Sequence, residues 1–302
     1  MSVLVVGTMG IDSVETPFGR VDEVLGGSAT YASLAASFFT QPKMVSVIGT
    51  DFPEDYIKIL RKKNIDVEGI QKISGKTFRW TGIYKDDLNV ANTLKTELNV
   101  LEEFKAIVPK SYRDTKYVLL GNIDPELQLK VIKQMTNPKL IIGDTMNFWI
   151  AYKRNELLKT LKKLHVLVIN DSEARQLANE PNLVKAAGII RKMGPKILII
   201  KKGEHGALMF SEKTLFASSA YPLEEIFDPT GAGDCFAGGF IGYLAKNEDI
   251  SERSMRRAIV HGSVIASFNV EDFSVNKLIK IKANDIVKRF KDFRKFSHFD
   301  DI

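Results

Sequence analysis

The stretch "DPTGAGDCFAGG", residues 228–239, sets an acid on each side of a Gly-Ala-Gly turn. A linker would be polar and would not lead at once into "CFAGGFIGYLA", which reads as a buried helix. Gly231, Ala232, Gly233 and Asp234 are therefore read as a helix N-terminus. The first amides of a helix have no internal partner and carry partial positive charge. Glycines let the backbone approach an anion closely. A carboxylate at that place does not suit static anion binding. It suits a proton acceptor, Asp234, working while the amides of Gly231, Ala232 and Gly233 hold charge that develops on a transferred group. Aspartate also serves as a plain helix cap, but a cap needs no Gly-Ala-Gly before it. The motif is not a P-loop, because no Gly-Lys-Ser/Thr follows the glycines.

Elements elsewhere in the chain must position this turn. Short, nearly continuous apolar runs are read as strands buried on both faces: Val3–Val6, Met44–Ile48, Tyr117–Leu120, Leu140–Ile142, Val166–Ile169 and Ile197–Ile200. Longer amphipathic stretches lie between and after them. Alternation of this kind predicts a parallel sheet covered by helices on both faces. In such a sheet ligands bind beyond the carboxyl ends of the strands. Polar candidates follow those ends repeatedly: Asp12 after "VVGTMGI", Asp51 after "VSVIGT", Asp144 and Asn147 in "LIIGDTMN", Asn170 and Glu173 in "LVINDSE", and Lys202, Gly203 and Gly206 in "LIIKKGEHG". One of these alone would be a capping residue; five groups at one end make a site.

Two segments break the rhythm. Residues 12–25 and 76–101 alternate polar and apolar residues and are expected to form hairpins that pair into a small sheet outside the body, placed to close over the site. Arg79-Trp80 in the second could stack over a ligand or be a structural pair. Phe148-Trp149 is expected in the core. His165 and His261 read as structural and His205 as a loop residue; four histidines and one cysteine give no transition-metal constellation. Cys235 has no neighbouring base and reads as a buried helix residue.

The bulk properties of the 302 residues exclude several classes. The sequence is 44% hydrophobic and 26% charged, ordinary for a globular protein. No apolar run approaches the roughly 20 residues of a membrane span, and no leader is expected from the N-terminal residues. One cysteine rules out an intrachain disulfide and fits a reducing, cytoplasmic setting. The net charge of +6 sits in Lys-rich helices without interleaved aromatics, so no nucleic acid partner is expected.

"DPTGAGDCFAGGFI" resembles the C-terminal signature of the ribokinase-like (PfkB) carbohydrate and nucleoside kinases. "GTMGID", "GGSATYASLAA", "VIGTDFPED", "NDSE" and "KKGEHGA" resemble further segments of that family, in order along almost the whole chain. The resemblance implies one domain over 1–302: a three-layer α/β/α sandwich with a mostly parallel central sheet and a small β-lid. It implies transfer of the ATP γ-phosphoryl group to a substrate hydroxyl. Asp234 would be the base, with the Gly231–Gly233 amides as anion hole. Asp12, Gly26, Gly27, Thr30 and Asp144 would face the substrate. Asn170, Lys202, Gly203, Gly206 and Thr230 would line the ATP side, with Glu173 organising Mg²⁺ through water. Asp228 and Thr230 match positions where many members hold K⁺. Thr30 and Tyr31 stand where the family commonly has a sugar-binding asparagine, which argues against ribose. A sugar is expected ahead of an adenosine-like nucleoside as substrate, with a catalytically idle binding protein the remote alternative. A homodimer through the lid edges is also expected.

Overall fold

Strands that must bury both faces put alternate side chains into two separate cores, and this chain does so. The structure is a computed structural model that describes residues 1–85 and 87–297; Asp86 and residues 298–302, both within ranges assigned above, lie outside the described residues. The strands in chain order are β1 (Val3–Val6), β2 (Gly10–Thr16), β3 (Gly19–Gly26), β4 (Pro42–Ile48), β5 (Asp66–Lys72), β6 (Arg79–Ile83), β7 (Asn92–Glu97), β8 (Tyr117–Leu120), β9 (Leu140–Gly143), β10 (Val166–Asn170), β11 (Ile197–Lys201), β12 (Ala207–Phe210) and β13 (Leu215–Ser218). The helices are α1 (Ser28–Ser37), α2 (Glu54–Lys62), α3 (Pro125–Gln134), α4 (Asn147–Tyr152), α5 (Arg154–Leu161), α6 (Asp171–Ala178), α7 (Leu183–Lys192), α8 (Ala232–Asn247), α9 (Glu252–Asn269), α10 (Asn276–Lys280) and α11 (Ala283–Phe296).

Nine strands form the central sheet in the order β13-β12-β11-β10-β9-β8-β1-β4-β5. All neighbours from β11 to β5 run parallel, and β12 and β13 are antiparallel additions. The link from β11 to β12 is too short for a crossover helix, so β12 can only turn back. Val3, Val5, Met44, Leu119, Val168 and Ile199 pack with α1, α2 and α8–α11 on one face. Leu4, Val6, Val45, Leu120, Leu167 and Ile200 pack with α3–α7 on the other. The result is the three-layer α/β/α sandwich. No helix among the described residues is long and apolar enough to cross a membrane.

A second sheet, β3-β2-β6-β7, has β2 and β6 running parallel between two antiparallel hairpins. It is less separate from the body than its polar text suggests. Ile11, Asp12, Val14 and Thr16 of β2 are buried, and the Thr16 hydroxyl donates to the Phe227 carbonyl at 2.8 Å, beside the glycine-rich turn. Thr77 is fully buried and gives both its amide and its hydroxyl to one oxygen of Asp51, each at 2.7 Å. Val100 packs into the body from a short 3₁₀ turn. The pair that leaves the body is therefore Arg79–Glu97, narrower than 76–101.

Candidate active site

Asp144 directly follows β9, Asn170 ends β10, and Lys201 ends β11, so three neighbouring parallel strands deliver these side chains at one end of the sheet. Asn170 and Lys201 are register partners. Asn170 caps α6: its Oδ1 accepts the Glu173 amide, while Glu173 Oε2 accepts the Asn170 amide, both at 2.8 Å. This reciprocal cap satisfies two orphan donors and also fixes the Glu173 carboxylate. Lys201 Nζ lies 3.5 Å from Asp144 Oδ2.

Asp234 stands in the first turn of α8 and lines a cleft of about 1650 Å³. Burial pushes its carboxyl up to about 7, the Asp144 charge adds to the rise, and Lys201 works against it. Glu173 is likewise raised, first by burial and then by Asp144. Burial works to lower the Lys201 ammonium, but Asp144, Glu173 and Asp234 together outweigh it and raise it. Lys201 is thus charged among three acids. Asp12 is buried on β2 and raised to about 7 by burial and then by Asp228. A Cβ on Gly26 would stand 1.8 Å from Asp12 Oδ2, so only glycine fits against that carboxylate.

The cleft brings Asp12, Gly27, Asn170, Glu173, Thr230, Gly231 and Asp234 together. Several other candidates fall elsewhere. Thr30 is fully buried inside α1 and does not line the cleft; the neighbouring Tyr31 and Ser28 do, because the helix turns Thr30 toward the body. Asp144 is buried, pairs with Lys201 and does not line the cleft. The lysine that enters the carboxylate group is Lys201 and not Lys202, since alternate residues at a strand end point to opposite faces. Sequence reading missed Lys201, although it closes its apolar run at the same level as Asn170. Gly203 lies against the Asn89 side chain, and Gly206 against the Ser218 carbonyl. The β6–β7 loop therefore reaches the β11–β12 turn. Ala232 gives its amide to the Pro229 carbonyl at 3.1 Å, so the amides of Gly231, Gly233 and Asp234 are the ones without a partner among the described residues. Asp51 fastens β6, pairing with Arg79 at 3.1 Å.

The aromatic pair Phe148-Trp149 is not core. Its short helix α4 forms a wall of the cleft, where Trp149 Nε1 donates to Asn122 Oδ1 at 2.9 Å and Phe148 meets Trp149 edge-on, ring centroids 4.9 Å apart. Trp80 also lines the cleft. His261 is stacked between Tyr243 and Phe290, and His165 accepts the Ile141 amide, so both are structural. Burial raises the Cys235 thiol well above its ordinary value. Among the described residues no group of three or more His, Cys, Asp or Glu side chains is arranged to hold a metal ion directly.

A buried carboxylate, next to unpartnered helix N-terminal amides and a charged lysine at the carboxyl end of an α/β sheet, suits a phosphotransferase that acts on an alcohol group, and that is the class of the family and relatives this chain matches. The chain belongs to the PfkB family of carbohydrate kinases, whose model matches residues 2–281. It is 31% identical over 258 residues to the cytidine kinase of Thermococcus kodakarensis, covering 83% of this chain and 91% of that one. Its fold is similar to that of the Methanocaldococcus jannaschii nucleoside kinase, with a TM-score of 0.78 at 19% identity over 96% and 98% of the two chains. It is equally similar to that of aminoimidazole riboside kinase from Salmonella enterica, solved with aminoimidazole riboside and an ATP analogue, with a TM-score of 0.78 at 15% identity over 96% and 100%.

Proposed function

We propose that this kinase phosphorylates a hydroxyl of a nucleoside, with cytidine the first acceptor to test and ATP the donor. The observation that carries this reading is the 31% identity to a cytidine kinase across most of both chains. It reverses the order expected from the sequence, where a sugar stood first. The aromatic wall of Trp149 with Asn122 supports it, since a flat base needs a ring to lie against and a polar group to meet its edge. A free sugar is the second reading, favoured by the polar row of Asp12, Asn89 and Asn147 on the same cleft.

In this mechanism Asp12 and Gly27 hold the sugar part of the acceptor under the small sheet, which acts as a lid. The acceptor hydroxyl gives its proton to Asp234, whose elevated pKa suits a base at neutral pH. The amides of Gly231, Gly233 and Asp234 face the charge that builds on the phosphoryl oxygens, and Lys201 adds a full positive charge beside them. Bound with Mg²⁺, ATP supplies the γ-phosphoryl group. The oxygen-rich pair Glu173 and Asn170 suits Mg²⁺ held partly through water, as a hard cation prefers. Thr230 and Gly203 would lie on the nucleotide side. Positioning and charge carry most of such a transfer. The exposed edges β3 and β7 would be the faces through which a second copy pairs, and a cytoplasmic setting follows for an enzyme fed by ATP.

The test is phosphoryl transfer from labelled ATP to cytidine, uridine, adenosine and ribose in turn. Transfer to a nucleoside at least tenfold faster than to ribose supports the proposal. Transfer to free sugars alone rejects it.

A further inference from the structure

Family resemblance puts Asp228 and Thr230 where many members hold K⁺, and the geometry here does not fit that ion. Each oxygen of Asp228 already accepts a backbone amide, from Thr230 at 2.9 Å and from Ser274 at 3.1 Å. The Val270 carbonyl accepts the Phe227 amide at 2.8 Å. The Thr230 carbonyl accepts Nδ2 of Asn269 at 2.8 Å. A bound cation needs several oxygens turned toward it, and here N–H groups face them instead.

Asn269 is the last residue of α9 and is fully buried. Its Oδ1 has no hydrogen-bond partner among the described residues. A buried, unpaired acceptor is unfavourable, and packing alone would be met by an apolar side chain of that size. What the amide does is donate to Thr230.

We propose that the Asn269 carboxamide stands in for the monovalent cation, as a positioning residue that makes this kinase independent of potassium. The Thr230 carbonyl and the Gly231 amide belong to one peptide unit. A donor on that carbonyl fixes the plane of the peptide and polarises it, which aims the Gly231 N–H into the cleft and strengthens it as a donor. Tyr84 completes the hold, since Thr230 Oγ1 and the Tyr84 hydroxyl lie 3.2 Å apart. The turn is thereby set by protein groups alone.

The proposal rests on the family's kinase chemistry and not on the nucleoside assignment, so its test uses no acceptor. Affinity for adenylyl imidodiphosphate with Mg²⁺ is measured by calorimetry, and melting temperature by circular dichroism, in KCl, NaCl and tetramethylammonium chloride at equal ionic strength. The wild-type protein is expected to give the same values in all three. A potassium-specific rise in melting temperature, or a potassium-specific gain in nucleotide affinity above about fivefold, overturns the proposal. Asn269→Leu is expected to weaken the nucleotide by about tenfold or more; unchanged affinity overturns the role of the amide. Asn269→Asp, which turns an oxygen toward Thr230, is expected to acquire a potassium-specific melting shift that the parent lacks. That response separates a cation substitute from a packing residue, and its absence counts against the proposal even if the leucine variant does not fold.

Discussion

Lys201 Nζ lies 2.6 Å from the point where a Cβ on Gly233 would stand. The glycine of the turn and the lysine of the strand end are thus one device. A side chain at 233 would push the ammonium aside, and the ammonium lies where it can balance Asp144, Glu173 and Asp234 at once. That is a stronger reason for a glycine at 233 than the flexibility of a turn.

Lys201→Met removes the balancing charge while keeping the stem. The three acids then raise one another further, and Asp234 becomes protonated at neutral pH. We expect turnover at pH 7 to fall by about 10²-fold or more. The acidic limb of the pH–rate profile should move to higher pH, because loss of a cation raises a carboxylate pKa. Gly233→Ala should lower turnover in the same direction with little change in melting temperature. A Lys201→Met profile that keeps the parental limb would mean that the lysine does not tune the base.

Asp234→Asn keeps size and capping ability and loses the proton acceptor. Turnover should fall by about 10²–10⁴-fold, while affinity for a non-hydrolysable ATP analogue stays within a few-fold. Its melting temperature at pH 8 should equal or exceed the parent's, since a buried carboxylate raised to about 7 is ionised there against its preference. Near-parental turnover would make Asp234 a cap and no base.

What the sequence disclosed, and what it hid, follow from the range of the signals. The six buried strands and the helices between them were legible because each is a local pattern, a short continuous apolar run for a strand buried on both faces or a period of 3.6 for a helix. Edge strand β5 was not, since its mixed "DVEGIQK" text buries little beyond Gly69. Asn170, Glu173 and Asp234, which line the cleft, were singled out because strand ends and helix starts carry local marks, whereas Asp12 lies inside β2 and not at the end of β1 as its place in the sequence suggested. Lys201, which pairs with Asp144, was passed over for its neighbour Lys202, and a period of 2 sends the two side chains to opposite faces. Trp149 and Tyr84 reach the cleft only through long-range packing, and no spacing in the sequence announces that. Asn269 sits 39 residues from the carbonyl it holds.

The acids predict an unusual stability profile. Asp12, Glu173 and Asp234 are all raised from the ordinary carboxylate range, so the native state keeps protons that the unfolded chain has released. Their contribution is complete below about pH 4 and is lost as pH rises toward 7. Ligand-free protein should therefore melt lower at pH 8 than at pH 6. Asp12→Asn should flatten this slope and stabilise at pH 8 by on the order of 1–3 kcal/mol, with a smaller gain at pH 5, because the penalty begins to accumulate above about pH 4. Calorimetric melting of both proteins from pH 5 to 8 checks it. A variant that is destabilised at pH 8 would show that the Asp12 carboxylate is held by its neighbours and not strained by burial.

The small sheet gives the last prediction. Deleting 76–101 would remove Thr77, which Asp51 holds, and Val100, which packs into the body, so that change should unfold the protein. Replacing Trp80–Glu97 by a short glycine linker leaves both in place. It also leaves β2, whose Thr16 is tied to Phe227 beside the glycine-rich turn. The main sheet and α8 should therefore survive, with a cooperative melt and a modest drop in melting temperature from the loss of the buried Tyr84. The cleft would lose Trp80, Tyr84 and Asn89 and open to water. Acceptor affinity should fall by about tenfold or more, and ATP hydrolysis without acceptor should rise, because a lid of this kind excludes water from the phosphoryl group. Melting curves and phosphate release without acceptor test the two halves separately. A cooperative fold with unchanged phosphate release would mean that β6 and β7 do not guard the reaction, and a non-cooperative melt would mean that they belong to the body.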